Sequence, residues 1–313
     1  MEHFLVELEA ATSFSKSATE VTLECNPESL DQAKAELMLE HGVKRLSIGF
    51  QSLEPETLQL FGRVHDVETS MRAFESARRA GVEDLNIDMI YAAPGHNTDA
   101  WRTALQTVLE LQTEHISAYN LAFEEDTVFS RWLRDGKLQS LPEEIELEMF
   151  HVTRELTSQA GLDAYEISNY AKPGHECKHN QNYWDNGSYL GIGPSAVSYV
   201  GGRRSGNAKG IESYIASIRN TGHANKWTEV LSPRARLGET WWLGLRQAAG
   251  VLPEAARCAS AFDAEEDPAV ETAKVLVSQG LLQLVGDRFV LTKTGTPLAD
   301  RVAAEFLWVE DSD

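Results

Sequence analysis

The chain has 313 residues, of which 42% are hydrophobic, and a formal net charge of −20. That much apolar surface builds a substantial core and excludes disorder, and no run of 18 apolar residues offers a membrane span. The excess of carboxylates argues against nucleic acid, whose phosphates call for Lys and Arg, and no basic run is present.

The first segment, MEHFLVELEAATSFSKSA, has no basic stretch ahead of an apolar one, so no signal peptide is read there. Five short apolar runs follow: VTLECNP (21–27), RLSIGFQS (45–52), LNIDMIYAAPG (85–95), HISAYNLAFE (115–124) and AYEISNYA (164–171). Three are preceded by helix stops, EHGV (40–43), RAGV (79–82) and QAGL (159–162), in which Gly supplies the left-handed cap. Helical periodicity fills the intervals, as at 67–80 and 98–112. Strands alternating with helices in this way build βαβ units and a parallel sheet. The runs carry polar residues toward their C-terminal ends: Glu24, Gln51, Asp88, Asn120 and Glu166. In a parallel α/β barrel those ends and the loops behind them form the active site, so the five are read together as one site.

Residues 175–184, HECKHNQNYW, gather thiol, imidazole and aromatic groups. A structural zinc site takes four ligands, usually paired by spacing, and one Cys between two His does not supply them. The stretch is read as a loop behind the last strand, on the active face. From 185 the chain is rich in Gly and Ser and reads as loop around one short strand. Its G-x-G lacks the strand–turn–helix setting of a dinucleotide fingerprint, and Gly191, Gly193 and Gly201 are read as turn and close-approach glycines. Residues 231–313 read as a separate small domain, with helices at 233–248, 253–261 and 267–279, a hairpin at 281–292 turning on Gly-Asp, and a last helix from 294. This is a winged-helix-like outline. With 13 acidic and 8 basic residues it suits a lid or packing role better than DNA. The three cysteines, Cys25, Cys177 and Cys258, are too far apart for C-x-x-C pairing, and a reducing cytoplasm without disulfides is expected.

Six segments in order carry a specific resemblance: LECNPESL (23–30), GVKRLSIGFQSLEPETLQLFGRVHD (42–66), AGVEDLNIDMIYAAPGHN (80–97), HISAYNLAFEEDTVF (115–129), YEISNYAKPGHECKHNQNYW (165–184) and YLGIGPSAVSY (189–199). Together they resemble the radical S-adenosylmethionine (SAM) proteins of the oxygen-independent coproporphyrinogen III oxidase group, and within it the HemW-type heme chaperones. The resemblance implies an α/β fold, with a partial, N-terminally truncated parallel β/α barrel over 1–200, a connector over 201–230 and a small C-terminal helical domain over 231–313. It also implies that Glu24, Gln51, Arg63 and Asp88 contact SAM, with Ala122 and Val197 near the ligand. The chemistry agrees. A carboxylate suits the ammonium group of SAM, Arg suits its carboxylate, and carboxylates or amides suit ribose hydroxyls.

The same family holds a [4Fe–4S] cluster on three cysteines of a C-x-x-x-C-x-x-C-type loop behind its first strand, with a Gly-rich segment behind the second. Neither occurs in this chain, which starts where the family approaches its third strand. A truncated chain is therefore expected, with a cluster-free relative as the alternative; either lacks radical chemistry and has an open sheet edge that calls for aggregation or a compensating homodimer. Cys25 and Cys258 are read as packing residues. HNQNYW fits an H-N-x-x-Y-W pattern associated with the chaperone branch. It implies heme or porphyrin as ligand and a hemoprotein acceptor as partner, with His179 as candidate axial ligand and Cys177 as a second candidate. The alternatives are the oxidase, which decarboxylates two propionates of coproporphyrinogen III, and a non-catalytic interaction module. Whether the chain is an enzyme stays open at this level.

Overall fold

Strict alternation in the strands decides how the first part of the chain folds. In 45–51 Leu46, Ile48 and Phe50 point one way and Ser47, Gly49 and Gln51 the other, and the next two strands repeat the pattern. A computed structural model describes residues 1–263 and 267–308. The end of the small domain expected over 231–313, at 309–313, lies outside the described residues. The chain divides into two compact units, 1–176 and 177 onward.

In chain order the first unit contains α1 (Glu2–Thr12), α2 (Phe14–Ser17), β1 (Thr22–Cys25), α3 (Gln32–Glu40), β2 (Arg45–Gln51), α4 (Pro55–Leu60), α5 (Val67–Ala80), β3 (Asp84–Tyr91), α6 (Thr98–Glu110), β4 (His115–Asn120), α7 (Val128–Arg134), α8 (Glu143–Gln159), β5 (Asp163–Ala164) and β6 (Asn169–Ala171). Caps start the long helices where the sequence provides them. Asp66 accepts from the Thr69 amide at 2.8 Å at the head of α5, and Asn97 accepts from the Ala100 amide at 2.9 Å at the head of α6. The strands form one sheet in the order β1-β2-β3-β4-β6-β5, parallel from β1 to β4. The run at 164–171 is not a fifth parallel strand. It breaks at 165–168 into β5 and β6, which pair antiparallel with each other, and β6 pairs antiparallel with β4. The sheet is therefore mixed.

One face of this sheet is apolar and covered by helices. Leu46, Ile48, Phe50, Leu85, Ile87, Met89, Ile116 and Tyr170 pack there against Ala35 and Met38 of α3, Phe74 of α5, Leu105 of α6 and Met149 of α8. The N-terminal pole of the parallel strands is stapled by charge. Arg78 donates to the carbonyls of Val82 and Glu83 and, at 2.6 Å, to the Glu114 carboxylate, which also takes the Leu85 amide and the Lys172 ammonium. The Thr113 hydroxyl donates to the Leu85 carbonyl.

The second unit contains α9 (Lys178–Trp184), β7 (Val197–Val200), β8 (Arg203–Asn207), α10 (Ile211–Thr221), β9 (Asn225–Val230), α11 (Pro233–Gly244), α12 (Pro253–Ser260), α13 (Pro268–Ser278), β10 (Leu282–Val285), β11 (Arg288–Leu291) and α14 (Ala299–Ala304). Two expectations are corrected here. The H-N-x-x-Y-W stretch is a helix, α9, rather than a loop. The Gly/Ser-rich region leads into a three-stranded antiparallel sheet, β7-β8-β9, rather than one strand. The β7–β8 hairpin turns on Gly201 and Gly202, at φ 60° and 78°, the pair of left-handed positions that a two-residue turn demands. Helices α11 to α13 and the β10–β11 hairpin fall where the sequence puts them. They close on a core of Leu237, Trp241, Leu276, Phe289, Val302 and Phe306. No helix among the described residues is long and apolar enough to cross a membrane.

Candidate functional site

The second face of the first unit's sheet is polar, and its residues are joined. Asn86 is the hub. The two protons of its Nδ2 are shared among Ser47 Oγ at 2.6 Å, Asp88 Oδ1 at 2.8 Å and Ser117 Oγ at 3.0 Å. Its Oδ1 faces His115 Nδ1 at 2.6 Å. Ser47 donates to the other Asp88 oxygen at 2.7 Å, and His115 Nε2 meets the Tyr165 hydroxyl at 2.9 Å. Since Asn86 Oδ1 can only accept, Nδ1 of His115 carries the proton and Nε2 accepts from Tyr165. The imidazole stays neutral: its pKa is held well below the usual value by burial first, and then by the charges of Arg45 and His175. These residues fall in register across β2, β3 and β4, where Ser47 pairs with Asn86, Asn86 with His115, and Asp88 with Ser117. Asp88 is the half-buried member of the set, at the end nearer the strand C-termini.

Gln51 closes β2 in an unusual way. Its φ is 66°, left-handed for a residue that is not glycine, and the pairing with β3 shifts by one residue between Ile48 and Gln51. The turned backbone folds the Gln51 amide back over Gly49, where a Cβ would stand 2.6 Å from Gln51 Nε2. Backbone strain of this kind concentrates at ligand sites. Glu24 sits on the same face of β1, in register with Ser47, with its side chain exposed. It does not cap the short helical turn at Pro27–Ser29, which starts from Asn26. Arg63, behind α4, reaches Asn26 Oδ1 at 3.5 Å, so it stands beside the end of β1. It does not pair with Asp66, which is engaged in capping α5. Ala122 is exposed just past β4. Asn120 turns away, bonding Glu146 of α8 at 3.0 Å.

In the second unit His179 is exposed on α9, edge-on to Tyr183 one turn later with ring centroids 4.8 Å apart. Tyr183 contacts Tyr189 at 4.5 Å, and the neighbouring Leu190 and Ile192 are 76% and 77% exposed. The Arg246 guanidinium covers Trp184 at 4.9 Å. Cys177 is buried at the head of α9. Val197 opens β7.

The residues present do not fit an iron–sulfur cluster. Cys25 is a single buried thiol, pushed up to about 11 by burial and then by Glu24. Cys258 is exposed, and no group of three or more His, Cys, Asp or Glu among the described residues is placed to hold a metal. Sequence reasoning missed Ser47, Asn86, His115 and Ser117. The signal was the period-2 alternation in RLSIGFQ, LNIDMIY and HISAYN, which sets one polar position in every two.

Comparison with known proteins bears on this geometry. The profile of the radical SAM superfamily matches residues 2–108. The chain is 34% identical over 294 residues to the heme chaperone HemW of Bacillus subtilis (strain 168), covering 94% of this chain and 77% of that protein. It is 33% identical over 288 residues to the heme chaperone HemW of Mycobacterium tuberculosis (strain ATCC 25618 / H37Rv), covering 92% and 72%. Among solved structures, coproporphyrinogen III oxidase (HemN) from Escherichia coli superposes with a TM-score of 0.81 at 20% identity, covering 98% of this chain and 74% of that one. At that identity the likeness is one of fold.

Proposed function

Because the chain belongs to the HemW heme-chaperone family of the radical SAM superfamily, we propose that it binds heme through its second unit, for transfer to a hemoprotein, and SAM on the polar face of its first unit. One observation carries the heme part: the H-N-x-x-Y-W stretch is a helix that exposes His179 beside Tyr183, Tyr189 and the uncovered Leu190 and Ile192. An imidazole is an axial ligand of heme iron, and an aromatic and aliphatic surface suits a flat porphyrin. The test is a heme titration followed by its absorption spectrum. His179→Ala is expected to lose the histidine-ligated spectrum and to weaken binding by at least about tenfold, about 1.4 kcal/mol. An unaltered spectrum in that variant leaves α9 a structural helix and overturns the assignment. Three free cysteines suit the reducing cytoplasm as its setting.

The SAM part is supported by the polar face. Asp88, aimed by Ser47 and Asn86, offers oxygens to ribose hydroxyls, as does the Gln51 amide. Glu24 suits an ammonium group, and Arg63 suits a carboxylate. On this reading these residues would bind and orient SAM, and no step through a cluster runs on them. The oxidase reading rests on the shared fold alone, at 20% identity. Gly49→Ala tests the assignment. The new methyl group crowds the movable end of Gln51 and otherwise makes an ordinary contact with the Cys25 carbonyl at 3.9 Å, so the fold should survive while the amide is displaced. SAM affinity is expected to fall about tenfold in a calorimetric titration, with the melting temperature near that of the parent. Unchanged affinity would remove Gln51 from the site.

A further inference from the structure

Three segments near the C-terminal ends of β1 and β2 meet at one imidazole that the reading above leaves out. His65 lies between α4 and α5, and it is 6% exposed although Val64 beside it is 83% exposed. Its Nδ1 faces the Glu28 carboxylate, in the segment behind β1, at 3.1 Å. Its Nε2 faces the main-chain carbonyl of Phe50, near the end of β2, at 3.3 Å. That carbonyl can only accept, so Nε2 is the donor, and the ring serves both oxygens at once as the imidazolium.

The Phe50 carbonyl is also where the turn at Gln51 closes. The Ser52 amide donates to it at 2.8 Å, making a three-residue turn around Gln51 at φ 66°. A turn of this kind with positive φ at its centre is rare and strained, and it persists only where its surroundings hold it. The His65 bond supplies a hold from outside the strand. The same side chain pins its own loop. Arg63, two residues before it, reaches Asn26 Oδ1 in the segment that carries Glu28. Gln51, Arg63 and the segment behind β1 are thus tied to one ring.

We propose that His65 is a positioning residue: seated on Glu28, it holds the Phe50 carbonyl and so keeps the Gln51 amide aimed at the ligand of the polar face. The inference rests on the reading of Gln51 as a ligand group, and adds what keeps that group in place. His65 itself touches no ligand. Once Nε2 lets go of the Phe50 carbonyl, Gln51 relaxes from its left-handed backbone and the amide leaves its position. The ligand must then restore the turn as it binds, and affinity falls by the cost of that ordering.

Two replacements separate this role from simple packing. A glutamine amide nitrogen reaches the place of Nε2, and an asparagine amide nitrogen that of Nδ1. His65→Asn therefore keeps the contact with Glu28 and gives up the Phe50 carbonyl, while His65→Gln restores the donor to the carbonyl and gives up Glu28. In calorimetric titration of the full chain with S-adenosylhomocysteine, His65→Asn is expected to bind about tenfold more weakly than the parent, and His65→Gln within about threefold of it. A ring that only fills space gives no such split. If circular dichroism shows one variant unfolded, the other decides by its own expected value, and missing it overturns the role. Equal affinities for the two variants, with the parent binding and Gly49→Ala weakened, overturn the positioning role and leave Gln51 in the site. No binding by the parent overturns both.

Discussion

Asn86→Leu is expected to destabilise the first unit by about 4 kcal/mol or more, among the largest effects of any single substitution there. The physical reason is the number of partners that depend on one amide. Leucine removes the acceptor of His115 Nδ1 and the amide donor shared by Ser47, Asp88 and Ser117, and of these partners all but Asp88 are buried. His115 is fully buried and cannot recover by taking a second proton, since burial already holds its pKa well below the usual range. A buried group left unpaired costs its full desolvation, whereas removing both partners costs less. Asn86→Leu combined with His115→Leu should therefore recover part of the loss, a coupling that a double-mutant cycle reads directly. Urea denaturation, followed by a probe in the first unit, checks both. A loss below about 1 kcal/mol for the single variant would show that the donors find other partners and that nothing holds Asp88 in place through Asn86.

The second large effect lies in the second unit. Trp241 is fully buried, stacked on Phe306 at 4.9 Å and tilted against Phe289 at 5.5 Å. Trp241→Ala is expected to cost about 3–5 kcal/mol, the range for truncating a buried aromatic ring. The informative partner is Trp241→Phe. The indole Nε1 is buried and has no acceptor among the described residues, a defect worth about 1–3 kcal/mol that phenylalanine does not carry. Relief of that defect should offset most of the smaller cavity, leaving Trp241→Phe within about 1 kcal/mol of the parent. Thermal melts monitored by near-ultraviolet circular dichroism would read the difference. Equal losses for the two variants would mean that the indole nitrogen has found an acceptor and that shape alone sets the cost.

Much of the first unit was legible because local signals agreed. The helix over 67–80 has an Asp at its head and Gly behind its tail, and it runs from Val67 to Ala80. The four runs read as parallel strands are β1 to β4. The fifth run misled for a definable reason. AYEISNYA has the composition of a strand, but Glu166 takes the Ser168 amide and forms a turn inside it, and composition does not show where a side chain competes with the ladder. The β7–β8 hairpin could have been found from Gly201-Gly202 between two alternating segments. Gly201 is a turn glycine as expected, but reading the whole Gly/Ser-rich segment as loop around one strand hides a sheet. The family's ligand pattern pointed to Gln51, Arg63 and Asp88, and the structure adds why two of them stand as they do: a left-handed backbone for Gln51 and a hydrogen-bonded bracket for Asp88. Tertiary approach supplies what remains. His65 gains Glu28 and the Phe50 carbonyl only after the segments behind β1 and α4 come together near the end of β2, a meeting that no local window contains.

The staple of Arg78, Glu114 and Lys172 stands at the opposite pole of the sheet from Gln51 and the residues behind the parallel strands. It divides what is inherited from what can drift. The segments 52–54, 92–97 and 121–127 can lengthen, shorten or be exchanged between relatives without touching a partner of the staple, so the scaffold keeps its register while its loops are rewritten. A lineage built on such a sheet can change the ligand it holds in many small steps, because none of those steps must pass through a chain that no longer folds.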